Sequence, residues 1–397
     1  MSETTTLPHS NSLGAVPAIY ATLLGQTEAV HQVQKAVANR ADGVHHAWLF
    51  TGPPGSGRSN LALAFAAALL CPDQGCGTCG ICSRVLEQQH PDVKMLTTEK
   101  VIIGIDEVRD LVAGSHFGAS MGDYRILIIE DADRMAERSS NVLLKALEEP
   151  PAGTIWLLCA PSEADLLPTI RSRVRRVALK VPSVEDVAQL LVLRDGVELN
   201  LAREAAAEAQ SHVGMARRLA TSVEARGRRR DTLIAALNIT SVSSAMFTAE
   251  RWLDLAKKDA DAITAERDQV EKLELRRQVG LGETESIPNA YRVEFKNLDE
   301  DQKRRSTRSI RDGIDRILVD LLALYRDVLT VQLQTQSDLV NDDLKVQVAE
   351  LASEITAAET IKRLEAIETA RTRVLSNVKD LVALEALAVQ LRRKNRR

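Results

Sequence analysis

The chain has 397 residues, room for about two to four domains at roughly 100–200 residues each. Hydrophobic residues make up 45% and charged residues 27%, which excludes a disordered polar chain, and no apolar run approaches the ~18–20 residues of a membrane-spanning helix. The formal charge of −4 excludes a protein that coats nucleic acid by bulk charge, while a local basic face stays open. Aromatics are only 3%, so Ala and Leu must carry the core, and that favours helices.

Met1 to Val16 is rich in Ser and Thr and lacks the basic start and apolar stretch of a signal peptide. It reads as a disordered tail over residues 1–17, and the chain is expected in the cytoplasm. From Ala18 to Val181 helices alternate with short apolar runs. The pattern predicts helices over Gln26–Arg40, Ser59–Leu70, Asp106–Val112 and Ser139–Leu147. It predicts strands over Trp48–Phe50, Asp92–Leu96, Arg125–Glu130, Thr154–Cys159 and Val174–Leu179. Continuous apolar strands separated by helices imply an α/β fold with a parallel sheet covered on both faces.

After Pro182 the character changes. Ser183 with Asp186 is a capping-box helix start with Asp in place of Glu, and three short helices follow to about Ala225. Arg226-Gly227-Arg228-Arg229-Arg230 is expected to mark a boundary, with Gly227 breaking the helix, and its arginines are candidates for phosphate contacts. The tail Arg392–Arg397 is a second candidate, although it also suits a helix C-terminus. Beyond Arg230 everything reads as helix. Ile310, Ile314, Ile317, Leu318, Leu321, Leu322, Tyr325 and Val328 recur at helical spacing, as do Leu381, Leu384, Leu387 and Leu391. Lys257–Gln278 is charged with sparse apolar positions and reads as a solvated helix, the start of an insert over about 257–299.

Four motifs carry chemistry. Gly52-Pro53-Pro54-Gly55-Ser56-Gly57-Arg58-Ser59 follows a strand and opens a helix. Its glycines let backbone N–H groups face phosphate oxygens at a helix N-terminus. The spacing is that of a phosphate-binding loop except that Arg58 stands where Lys belongs, a non-conservative exchange of a compact charge for a forked one. The other reading is a glycine-rich strand-to-helix turn. Ile128-Ile129-Glu130-Asp131 ends a strand where a metal-binding acid belongs, but an aspartate in second place is one methylene short for holding a water. Acids that cap a loop are the bland alternative.

Cys71, Cys76, Cys79 and Cys82 fall in one window of spacing x4, x2, x2, with Gly75, Gly77 and Gly80 between them. Four thiolates suit a structural, tetrahedral Zn2+ ion in the window 71–82. An iron–sulfur cluster lacks its x3-C-P continuation, and unligated thiols are the remaining option. Cys159 stands alone in a buried strand and reads as core. Leu167-Pro168-Thr169-Ile170-Arg171-Ser172-Arg173-Val174-Arg175-Arg176 is, by composition, a solvated basic turn.

Together these residues resemble the bacterial clamp-loader branch of the AAA+ ATPases. His46-Ala47-Trp48-Leu49-Phe50 before the loop and the cysteine window after its helix resemble that branch. The most specific stretch is Ser140-Asn141-Val142-Leu143-Leu144-Lys145-Ala146-Leu147-Glu148-Glu149-Pro150-Pro151, similar to the family's N-x-L-L-K-x-L-E-E-P-P signature. Leu167–Arg173 resembles the approach to its Ser-Arg-Cys motif, with Val174 replacing Cys. Gly214-Met215-Ala216-Arg217 sits where a sensor arginine of the lid is expected, and Tyr325–Leu329 and Asn377–Leu391 resemble collar helices. The insert falls outside the resemblance.

The resemblance implies a AAA+ core over residues 18–181, a small helical lid over 182–228 and an all-α collar over 229–397. It assigns Gly52, Gly55, Gly57, Arg58, Ser59, Glu130, Asp131 and Arg217 to an altered nucleotide site, with binding of ATP and Mg2+ left open. Hydrolysing gamma/tau subunits carry Lys in the loop, Asp-Glu at the strand end and a polar sensor after the next strand. This chain has Arg58, Glu130-Asp131 and Cys159-Ala160-Pro161 there, yet keeps Ser172-Arg173. That pattern implies a non-hydrolysing loader subunit whose Arg173 acts in trans on a neighbour's nucleotide during DNA replication, with Arg171 and Arg175 less suited because they flank the motif position. Implied partners are the gamma/tau and delta subunits, the sliding clamp and primed DNA within the DNA polymerase III assembly. The alternative is a working gamma/tau-type motor. A stand-alone zinc-containing DNA binder is disfavoured because no aromatic stacking platform is present.

Overall fold

A computed structural model describes residues 17–98, 102–282, 285–376 and 378–393. The N-terminal tail, Asn377 and the last four residues of the basic tail lie outside these described residues. The chain divides into two units, each described by itself. The first runs to Asp195 and adds Ser211–Val213; the second holds Gly196–Gln210 and the chain from Gly214 onward.

The first unit is built on five strands: β1 (Ala47–Thr51), β2 (Val93–Leu96), β3 (Arg125–Ile129), β4 (Thr154–Ala160) and β5 (Arg175–Ala178). All pairings are parallel and the order is β2-β3-β4-β1-β5. The central strands are apolar throughout because both faces are covered. Trp48, Phe50, Ile126, Ile128 and Leu157 enter one core; Leu49, Leu127, Ile129, Trp156 and Leu158 enter the other. This alternation follows from the two-residue repeat of a strand. Helices α1 (Thr27–Ala38) and α2 (Arg58–Leu70) supply the first core, where Phe65 meets Trp48 edge-on with ring centroids 5.0 Å apart. Helices α4 (Ile105–Ser115) and α5 (Glu137–Glu148) supply the second.

Two shorter helices interrupt this pattern, α3 (Gly80–Leu86) in the cysteine window and α6 (Pro168–Arg171) before β5. The unit ends with α7 (Val184–Asp195), whose start matches the expected cap. Ser183 Oγ donates to Asp186 Oδ2 at 2.7 Å, and the Asp186 N–H donates back to Ser183 Oγ at 3.0 Å.

The second unit is all helical: α8 (Leu199–Glu208), α9 (Val213–Thr221), α10 (Val223–Leu237), α11 (Val242–Gln278), α12 (Arg292–Gln332), α13 (Lys345–Glu354), α14 (Ala357–Leu375) and α15 (Asp380–Leu391). Its core gathers Trp252, Ile314, Leu318, Leu321, Tyr325, Leu384, Leu387 and Leu391, most of them from the two periodic runs noted in the sequence.

Two sequence expectations are corrected here. Gly227 does not break a helix; it lies inside α10. A mid-helix glycine costs about 1 kcal/mol, and the buried side chains of Ala225, Arg229, Thr232 and Leu233 hold the helix through it. The arginines around Gly227 are not a free phosphate-binding run either. Arg226 donates to the Leu219 carbonyl, Arg228 bonds Asp259, and Arg230 pairs with Asp343 at 2.6 Å. Arg229 is buried, 3.1 Å from Asp320 Oδ1 and 2.6 Å from Asn341 Oδ1.

The charged insert lies at the far end of an antiparallel hairpin of α11 and α12, 37 and 41 residues long. Its inner seam is polar. Arg305 reaches Glu271 Oε2 at 2.7 Å and Asp268 Oδ1 at 3.0 Å, and Gln302 Nε2 donates to the Asp268 carbonyl at 2.9 Å. Nearer the core Gly313 faces Ala256, where an added Cβ would lie 3.3 Å from the Ala256 methyl.

Candidate functional site

The loop between β1 and α2 has the conformation its glycines predict. Gly55 and Gly57 take φ of 80° and 93°, and Gly57 is the N-cap of α2. A Cβ at Gly55 would stand 2.5 Å from His212 Cγ, so the imidazole rests directly on the loop backbone. The loop is tied to the sheet by Gln26, a buried residue that sequence reasoning missed. Its Nε2 donates to the Ser56 carbonyl at 3.3 Å and to the Lys180 carbonyl at 2.8 Å, and its Oε1 accepts from the Lys180 N–H at 3.0 Å. A lone glutamine ahead of a helix carries no sequence signal for that role. The Gly52 N–H donates to the Pro161 carbonyl at 3.2 Å, joining the loop to the chain just after β4.

The expected acids meet this loop. Ser59 Oγ donates to Glu130 Oε1 at 2.5 Å, and Thr97 Oγ1, also unforeseen, donates to Glu130 Oε2 at 3.2 Å. A loop hydroxyl beside a strand-end carboxylate is the pair that shares a magnesium ion in phosphate-loop sites. Arg58 faces the second acid: its Nη2 lies 3.8 Å from Asp131 Oδ1, with the side chains 11% and 18% exposed. Arg58 Nη1 is buried with no hydrogen-bond partner among the described residues. Asp131 also pairs with Arg134 at 3.6 Å and adopts a left-handed φ of 53°. Burial, and then the charge of Asp131, pushes the Asp133 carboxyl upward. The Asp131 carboxylate is thus paired with two arginines. Burial pushes the Cys159 thiol up as well, consistent with a core residue.

The arginine-rich turn resolves residue by residue. Arg173, between α6 and β5, has Nη2 2.7 Å from Glu148 Oε1, and its Nη1 donates to the Thr169 carbonyl at 2.8 Å and to Ser172 Oγ at 3.1 Å. Its side chain is 35% exposed, so it is both anchored and reachable. Arg175 lies over the Trp48 ring at 4.9 Å, Arg176 pairs with Glu163, and Arg171 is exposed. Arg217 belongs to the second unit, exposed on α9, with its carbonyl accepting from Thr221 Oγ1 at 2.8 Å.

The four cysteines come together. Their Sγ atoms all lie within 4.8 Å of one another. A tetrahedral ion with metal–sulfur bonds of about 2.3 Å needs sulfurs about 3.8 Å apart. Cys71 Sγ lies 3.8 Å from both Cys76 Sγ and Cys79 Sγ. The Cys79 N–H donates to Cys76 Sγ at 3.4 Å, and the Cys82 N–H to Cys79 Sγ at 3.5 Å. Backbone N–H groups of Thr78 and Cys79 lower the Cys76 thiol to about 6 while burial pushes the Cys82 thiol up, so the case for a metal rests on the sulfur geometry. The residues fit a metal ion. Cys71 and Cys82 are buried and Cys76 and Cys79 half-buried, and four protein thiols would leave no open position on a tetrahedral ion, the arrangement of a structural site.

Part of the chain is similar to known proteins. Residues 25–183 match the family described as DNA polymerase III, delta subunit. DNA polymerase III subunit delta-prime of Pseudomonas aeruginosa is 38% identical over 143 residues, covering 34% of this chain and 44% of that protein. The Escherichia coli subunit delta-prime is 35% identical over 156 residues, covering 38% and 47%. Subunit gamma/tau of Mycobacterium tuberculosis is 29% identical over 171 residues, covering 42% and 29%. The chain thus spans less than half the length of the relatives it matches.

Proposed function

We propose that residues 25–183 form a clamp-loader core of the delta-prime type, a reading supported by their match to the delta-subunit family and by the likeness to delta-prime subunits. The chain is the delta-prime subunit of the DNA polymerase III clamp loader. It supplies Arg173 to the nucleotide bound by an adjacent subunit and supports ATP-dependent loading of the sliding clamp on primed DNA. Its partners are the gamma/tau and delta subunits, with the clamp and DNA engaged through the assembly in the cytoplasm. The organisation is a core, a helical lid and a helical collar.

The observation that carries this reading is the contrast between two arginines. Arg173 is half-exposed on a braced turn, whereas Arg58 sits in the chain's own loop against Asp131. Phosphoryl transfer spreads charge over the γ-phosphate oxygens, and an arginine delivered by a neighbour is worth roughly 10³–10⁵ in rate. Hydrolysis then waits on correct assembly. The chain then needs no working site of its own.

Nucleotide binding by this chain is a separate matter. Gly52, Gly55, Gly57 and Ser59 retain the cradle, and Ser59 with Glu130 would face a magnesium ion. A gamma/tau-type motor is the second reading, supported by the gamma/tau similarity. It needs Asp131 to position water, and the pairing of Asp131 with Arg58 and Arg134 opposes it. The four cysteines are assigned to Zn2+, which fixes the turn between α2 and α3. The test is Arg173→Ala in the reconstituted loader: ATP hydrolysis falls while assembly persists.

A further inference from the structure

A cavity of about 400 Å³ lies in the second unit between the end of α13, the first turns of α14 and the chain leaving α15. Its walls carry four cations, Lys362, Arg363, Arg392 and Arg393, against two carboxylates, Glu354 and Glu359. Both acids already have work. Glu354 Oε2 lies 3.4 Å from Arg393 Nη1, and Glu359 Oε2 accepts from the Thr356 N–H at 3.0 Å to cap α14.

Arg363 is the unusual member. It is 7% exposed, with its guanidinium 5.6 Å above the buried Tyr325 ring. Its Nη2 donates to the Arg392 carbonyl at 3.1 Å and its guanidinium also interacts with the Tyr325 hydroxyl, while the Nη1 atom makes no hydrogen bond of ordinary length among the described residues. Arg393 Nε is buried and likewise without a partner among them. Buried N–H groups of a cation are costly to leave unsatisfied, and both belong to arginines that line this cavity. The lining has two positive charges in excess, which matches a doubly charged anion better than a carboxylate. Forked guanidinium groups suit the oxygens of phosphate. The volume falls in the range of small-molecule sites, larger than orthophosphate alone requires.

We propose that this cavity is a binding site for a phosphate group, carried by a small polyphosphate or by the phosphorylated end of a nucleic acid. The site stands apart from the phosphate loop and does not depend on the clamp-loader reading.

Isothermal titration of the full chain with pyrophosphate tests it, with a second arm using a 5′-phosphorylated single-stranded oligonucleotide and its unphosphorylated twin. The expected result is one saturable site, weakened at least about tenfold in Lys362→Gln/Arg392→Gln, a change outside the buried core. Preference for the phosphorylated oligonucleotide over its twin assigns the source to a nucleic-acid end, and binding of pyrophosphate alone assigns it to a small polyphosphate. The proposal is overturned if neither probe binds, if the double variant binds as wild type does, or if binding is lost only in Ser59→Ala, which would place it at the phosphate loop.

Discussion

Arg173 and Glu148 are joined at 2.7 Å, linking the turn before β5 to the last turn of α5. The contact unites two sequence motifs, Ser172-Arg173 and the Leu147-Glu148-Glu149-Pro150-Pro151 stretch, in one feature. Glu148 is 48% exposed, so the pair is worth about 0–1 kcal/mol in water. It orients the guanidinium without holding it tightly. In the proposed role, a neighbour's γ-phosphate, which carries more charge than one carboxylate, would take the arginine over while the Thr169 carbonyl still braces its other nitrogen.

The Arg58–Asp131 contact predicts the behaviour of the isolated chain. ATP hydrolysis, read as released phosphate with and without primed DNA, is expected at background. Arg58→Lys does not restore it, because Asp131 remains too short to position water. Turnover stimulated by DNA in either protein would favour the motor reading.

The cysteine cluster predicts about one zinc ion per chain by elemental analysis, lost in Cys82→Ser. Structural zinc contributes directly to folding. Loss is therefore expected to loosen the segment 71–86 and speed tryptic cleavage after Arg84, whose Nε now donates to the Gly80 carbonyl at 3.0 Å. Equal zinc content and equal cleavage in the variant would contradict the assignment.

Asp92 gives the fold a pH dependence. Burial pushes its carboxyl up, but the Ser120 N–H and hydroxyl at 2.6 and 2.7 Å, with the N–H groups of Met121 and Gly122 at 2.8 and 3.0 Å, outweigh it and hold the group below its ordinary value. A carboxyl depressed in the folded state adds stability above its unfolded value near 3.9 and loses it as pH falls through the folded value. Asp92→Asn should cost about 2–4 kcal/mol at pH 7 in denaturant unfolding. The gap from wild type should stay level between about pH 5 and 8 and close below about pH 4. A gap that persists at pH 2 would mean packing, not charge, is responsible.

The sheet was legible because both faces of β1, β3 and β4 are covered, so each strand writes itself as an apolar run. The cysteine cluster was legible from spacing alone. The hairpin was only half legible. Its helices have a polar seam in which Gln302 and Arg305 meet Glu271 and Thr264 is buried, so the outer half lacks the apolar periodicity that marks a buried face. The arginines of α10 were misread because composition reports charge but not its partners, and Asp259, Asp320, Asn341 and Asp343 lie far along the chain. Gln26 and Thr97 were invisible for the same reason: each acts only through residues distant in the chain, Ser56 and Lys180 for one and Glu130 for the other.

The most direct measurement is ATP turnover by the reconstituted loader carrying Arg173→Ala, beside size-exclusion analysis of its assembly. The account predicts an intact complex with reduced DNA-stimulated hydrolysis: the site that loses its arginine slows by roughly 10³–10⁵, and total turnover falls by at least that site's share. An intact complex that hydrolyses ATP at the wild-type rate would contradict it.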